Sequence, residues 1–111
     1  MIIIFDLEFF FEFLATLRMA YSGQEENEVK VINEHLEIVS LVGTLSSTGG
    51  HHLHISLSNK DGNCLGGHVF GEMNVFTTAE IVIGECSSLT FDREYDNQSG
   101  FDELVVKQRI I

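Results

Sequence analysis

Apolar residues alternate with polar ones along much of this chain, and a period of two is the mark of strands that bury one face. At the start, Ile3, Phe5, Leu7, Phe9, Phe11 and Phe13 are apolar at odd positions, while Asp6, Glu8 and Glu12 stand at even ones. Those acids do not gather on one narrow helical face. A strand running to Tyr21 is the preferred reading, and a helix over residues 5–17 is the alternative. The polar SGQEENE (22–28) reads as a loop, Val29–Ile32 as a short strand, and Glu37–Leu45 as a longer one bounded by SSTGG. In HHLHISLS, Leu53, Ile55 and Leu57 fall on one face, with His52, His54, Ser56 and Ser58 on the other. NKDG predicts a hairpin turn in which Gly62 supplies a positive φ. Folding the hairpin about residues 60–61 sets Gly67 and His68 opposite His54 and Leu53. The return strand runs from Cys64 to Phe70, a turn follows at Gly71–Asn74, and Val75–Gly84 is a β-branched run. After Glu85 the chain is polar until a closing strand, Phe101–Lys107.

This pattern gives a mainly antiparallel sheet of about six strands with little helix. No repeat, low-complexity tract or linker divides the chain, and 111 residues allow one domain with one core. The first fourteen residues, MIIIFDLEFFFEFL, have no Lys or Arg before Arg18 and are interrupted by acids. They fit neither a secretory signal nor a membrane span.

Charge narrows the partners. The chain has 17 acidic and 6 basic residues, a formal net charge of −11. The excess is spread over both halves, so no basic patch hides in an acidic average. Holding phosphates needs clustered Lys and Arg, so direct nucleic-acid binding is not expected, and an anionic membrane surface would repel the chain. Cys64 and Cys86 make no disulfide framework and no zinc-finger spacing. They are expected as reduced thiols of an intracellular, cytoplasmic protein.

The histidines carry the candidate chemistry. Four of the five fall between residues 51 and 68. His52 and His54, two apart on a strand, project to one face, and the hairpin brings the strand carrying His68 alongside. Three imidazoles with an open fourth position form a recognised zinc geometry, although an H-x-H pair on a strand also occurs as a half-buried sheet surface without a metal. His51 is expected on the apolar side or in the loop, and His35 as a solvated side chain in a polar turn. Gly66–Gly67 lacks the surroundings of a phosphate loop and suits a bulge or a close backbone approach, at a subunit interface or a ligand. Glu80 is the one weak candidate for a catalytic acid or base. The preferred reading of Glu80 is a solvent face shared with Thr78 and Val82.

Residues 41–85, LVGTLSSTGGHHLHISLSNKDGNCLGGHVFGEMNVFTTAEIVIGE, resemble the central block of the plant-and-prokaryote conserved (PPC) domain. The resemblance rests on the H-L-H-x-S-L-S strand, the turn after it, the G-G-H strand and the T-x-E-I-V-I strand. LTFDREYDNQSGFDELVV is similar to the family's closing segment, and ATLRMA (15–20) to a strand ahead of the central block. The resemblance implies an α+β fold on an antiparallel sheet, a homotrimer, and a zinc ion at His52, His54 and His68. It also implies a division into an atypical segment, 1–14, and a partial domain, 15–111, because family members begin with a strand and a helix where MIIIFDLEFFFEFL stands here. Plant relatives place the domain after a DNA-gripping basic arm, and this chain has no such arm. The preferred function is therefore a metal-binding, self-assembling domain for protein interaction or small-ligand binding, ahead of an enzyme. Two alternatives stay open. One is a zinc-dependent enzyme with Glu80 or a neighbour as base, and the other a DNA-associated regulator acting through a basic partner.

Overall fold

In a computed structural model, the described residues are 14–20, 27–48, 50–76 and 78–110, together with the backbone of 2–5. They form nine strands and no helix: β1 Ile2–Phe5, β2 Leu14–Arg18, β3 Val29–Asn33, β4 Glu37–Ser46, β5 Gly50–Ser58, β6 Cys64–Asn74, β7 Ala79–Val82, β8 Leu89–Asp96 and β9 Phe101–Gln108. The domain is thus mainly β, and the helical part of an α+β fold is absent among these residues. β2 excludes the helical alternative from residue 14 onward, whereas the expected alternation over 6–13 and the end at Tyr21 lie outside the described residues.

The strands pair as a five-stranded sheet in the order β3-β2-β6-β5-β4 and two separate pairs, β1-β7 and β8-β9. The chain divides into two compact units, Met1–Val42 with Leu53–Ile83, and Gly43–His52 with Gly84–Ile111. The first unit holds the core. Ala15, Leu17, Leu36, Ile55, Leu57 and Val69 are all buried there, with Leu17 and Leu57 wholly enclosed. Alternation explains the selection: β2 buries every second residue, and so does the second half of β5. Met19, Ile32, Ile38, Leu41, Leu53, Leu65 and Met73 pack around that cluster, half-buried.

The β5–β6 hairpin corrects the expected register by one residue. His54 pairs with His68, Ile55 with Gly67 and Leu57 with Leu65. The loop is centred on Asp61, because Asn59 N donates to Asn63 O at 3.0 Å and Gly62 N to Asn59 O at 3.0 Å. The Asn59 side chain holds the loop from within, its Oδ1 accepting from the amides of Asp61 and Asn63, each at 3.0 Å. Gly62 has the expected positive φ, 80°.

Three other expectations give way. Gly71–Asn74 is not a turn: β6 runs through it to Asn74, and the added residues are absorbed by a bulge opposite Ala15–Leu17. Gly71 lies in this bulge against Thr16, whose Cγ2 would be 3.1 Å from an added Cβ. The β-branched run from Val75 makes only the short strand β7, while Val75 itself is buried outside it. The stretch after Glu85 contains a full strand, β8, paired along its length with β9 from Leu89↔Gln108 to Asp96↔Phe101.

The β8–β9 ribbon is held by its turn and by ion pairs. Gly100, at φ 77°, donates its amide to Asp96 O at 2.8 Å, and Ser99 N donates to Asp96 Oδ2 at 3.0 Å. These amides, Ser99 first and Gln98 next, hold the Asp96 carboxyl below its ordinary value. Lys107 Nζ lies 2.6 Å from Glu94 and 3.5 Å from Asp92, and Glu94 foremost raises the Lys107 ammonium above its usual range. The Thr48 hydroxyl donates to Asp92 at 2.6 Å and is the main reason that this carboxyl is lowered.

Candidate metal centre

The histidine face is built by the sheet's own alternation. On β5 the core takes Ile55 and Leu57, so His54 and Ser56 must point the other way. On β6 the core takes Val69, which sends His68 to the same outer face. Residues directly opposite on antiparallel strands share a face and lie about 4.5–5.5 Å apart, and His54 and His68 are such a pair. Their rings meet edge to face, centroids 5.2 Å apart at 85°. His52 follows two residues before His54 on the same continuous strand, so strand geometry alone carries it to this face.

The consequence is convergence. One potential ligand atom from each of His52, His54 and His68 lies within 4.8 Å of the others. His52 and His68 are half-buried and His54 is exposed, so the cluster has packed walls and an open side. Tetrahedral zinc with Zn–N bonds of about 2.0–2.1 Å needs nitrogens roughly 3.3 Å apart. Borderline imidazole donors suit zinc. The donor set fits.

The double glycine explains itself in the same frame. A Cβ on Gly66 would collide with the carbonyl oxygen of Ile55 on β5, and one on Gly67 would come within 3.0 Å of Arg18 O on β2. Both glycines therefore admit the flanking strands of their own sheet, which is the close backbone approach expected from sequence. They lie just before His68 and let β6 sit close between β5 and β2.

The other candidates fall elsewhere. Glu80 does not join the histidine cluster. It lies exposed on β7 beside exposed Val82 and near exposed Thr78, on a solvent face as preferred from sequence. There it lines a groove of about 500 Å³ with Glu37, Ser40, Val75 and Phe76. His35 is exposed and meets Phe76 edge to face at 5.4 Å. His51 is exposed on β5, and both cysteines are exposed free thiols. Sequence reasoning passed over Arg18. It ends β2 directly opposite His68, on the face away from buried Leu17. Its signal was the register of β2 on β6, which no local pattern reveals.

Fold and site together define a small, mainly antiparallel β domain with a three-histidine face. The family model of the Plants and Prokaryotes Conserved (PCC) domain matches residues 14–87, about two thirds of the chain, and the chain belongs to that family. Among relatives, "Bifunctional protein GlmU" of Synechococcus sp. (strain JA-3-3Ab) is 35% identical over 94 residues, 85% of this chain and 14% of that protein. The protein of the same name from strain JA-2-3B'a(2-13) is 34% identical over 93 residues, 84% of this chain and again 14% of the relative. The chain thus spans about one seventh of the length of these curated relatives. A hypothetical protein from Salmonella cholerae-suis has a solved structure that superposes with a TM-score of 0.75 at 41% identity, covering 88% of this chain and 69% of that one. A candidate DNA-binding protein from Bacteroides thetaiotaomicron superposes at 0.70 with 24% identity, over 85% and 70% of the two chains, and shares the fold.

Proposed function

We infer that this PCC domain binds a zinc ion through His52, His54 and His68 and serves as a self-assembling module for protein interaction or small-ligand binding. The observation that carries the reading is the convergence of three imidazoles from two paired strands within 4.8 Å. Three neutral imidazoles leave a fourth coordination position, and the exposure of His54 leaves it open to an incoming ligand. When bound, the ion would supply a Lewis-acidic point on an otherwise acidic surface. His54 and His68, paired across β5 and β6, would hold the ion together with His52, two residues away from His54 on β5. Glu80 lies outside the cluster, which favours binding over hydrolysis with that residue as base. Exposed Val29 and Val31 on β3 and exposed Phe70 on β6, the two strands that flank β2, support assembly with further copies, the homotrimer being the expected state.

The test is zinc retention. After equilibrium dialysis the parent is expected to keep one zinc per chain. His54→Ala is expected to lose affinity by orders of magnitude, since a three-ligand site loses a bond and its geometry. His35→Ala, remote from the cluster, should match the parent. Equal zinc in the parent and His54→Ala would remove the site, and sedimentation of the same samples reads the oligomer mass.

A further inference from the structure

We propose that the groove between β4 and β7 takes an extended, basic segment of a partner protein, added as a strand between the two. This deepens the protein-interaction part of the reading above and makes no use of the histidines, so either can fail without the other.

The walls of the groove are strand edges. Its lining runs through consecutive residues, 36–41 on one wall and 78–82 on the other. A strand that offered one face would contribute every second residue, so the backbones themselves border the space. β4 ends the five-stranded sheet and β7 pairs with β1 on one side, which leaves each an open edge among the described residues. An open edge carries unpaired amides and carbonyls and is a template for a further strand. The two ends of the sheet differ in how they are protected. β3 is short and carries Lys30, the residue type that keeps edges from pairing. β4 has neither Lys nor Pro, and Val39 and Val42 stand exposed along it.

Burial and charge define the segment. Leu36 and Val75 are buried at the groove, whereas Glu37 and Glu80 are exposed beside it. Along β7 the alternation turns Ala79 and Ile81 inward and Glu80 and Val82 outward. A strand laid between these walls therefore buries every second side chain on an apolar floor and presents the others beside two carboxylates. Neither Glu37 nor Glu80 is in an ion pair among the described residues, and the lining holds no Lys, Arg or His. The complement is an alternation of apolar residues with Lys or Arg. Lys60 stands in a smaller adjoining hollow that shares Leu36, Glu37 and Phe76, so the basic stretch ends on that side. A second copy supplies no such segment, because none of the nine described strands holds more than one Lys or Arg.

Fluorescence anisotropy of a labelled, end-capped peptide of alternating valine and lysine tests this, at about six residues to match the wall of residues 36–41. Saturable binding to the parent is expected, weakening as salt is raised. Glu37→Gln and Glu80→Gln should each weaken it about two- to fivefold, as the loss of an exposed ion pair predicts. Glu103→Gln, an equal change of charge on β9 outside the groove, should match the parent. The same peptide N-methylated along its backbone keeps its charge and loses its donors, and should bind at least about tenfold more weakly. No saturable binding by the parent would overturn the proposal, as would equal affinity in the parent and both groove variants. Equal binding of the N-methylated peptide would mean attraction by charge without strand addition, and would overturn it too. Peptide binding that disappears as the chain is concentrated would give the groove to a second copy and overturn the choice of partner.

Discussion

The hairpins β5–β6 and β8–β9 are both antiparallel and of similar length, yet different forces hold them. β5–β6 buries Ile55, Leu57 and Val69 on one face, each 5% exposed or less. β8–β9 leaves Tyr95, Phe101 and Val106 at 66%, 54% and 50% exposure and relies on its turn and on Lys107 with Glu94 and Asp92. Where one face is buried, a slip of one residue would turn the whole apolar set outward, so the register is fixed. The histidines on the opposite face inherit that certainty. Where neither face is buried, turn geometry and exposed ion pairs set the register, and such pairs are weak and sensitive to salt. A metal centre belongs on the first kind of hairpin.

The largest effect should come from Gly66→Val. Its Cβ would collide with the Ile55 carbonyl, backbone that cannot step aside, and a β-branched side chain worsens the conflict. Loss of a cooperative thermal transition is the expected result. A transition like the parent's would show that β6 does not sit as close to β5 as described.

Next come matched truncations in the two hairpins. Leu57→Ala, at a wholly enclosed side chain, should cost about 2–5 kcal/mol. Val106→Ala, half exposed on β9, should stay within about 0.5 kcal/mol. Urea unfolding of the two variants measures both values. Similar costs would erase the contrast between the hairpins.

The smallest effect concerns the β8–β9 turn. Asp96 is held below its ordinary value by the amides of Ser99 and Gln98. A carboxyl with a lowered folded pKa stabilises fully above its unfolded value and loses that contribution as pH falls through the folded one. The Ser99 amide resonance in the parent should therefore move only in acid, below the ordinary aspartate range of about 3.9. In Asp96→Asn it should stay flat. Titration of that resonance near the ordinary value would mean that the turn bonds do not hold in solution.

Much of the architecture was legible because alternation is strong where one face is buried. β3, β4, β5 and β9 lie close to where the pattern set them, and the H-x-H pair identified its own face. What escaped did so for physical reasons. β8 carries Asp92, Arg93, Glu94 and Asp96, so polar residues fall on both faces and the contrast fades. The hairpin register slipped by one because NKDG looks like a four-residue turn, whereas Asn59 and Asn63 close a loop centred on Asp61. The error was small in sequence and large in consequence. It paired His68 with Leu53, a core-side residue, whereas the true register pairs it with His54. The bulge at Gly71 depends on contact with Thr16 on a strand remote in sequence. The alignment of Arg18 with His68 depends on the pairing of that same strand.

X-ray absorption at the zinc edge of the metal-loaded protein tests the central claim most directly. The account predicts four light-atom neighbours at about 2.0–2.1 Å, with the outer-shell scattering of three imidazoles. Two imidazoles or fewer, or any sulfur from Cys64 or Cys86 in the first coordination sphere, would contradict it.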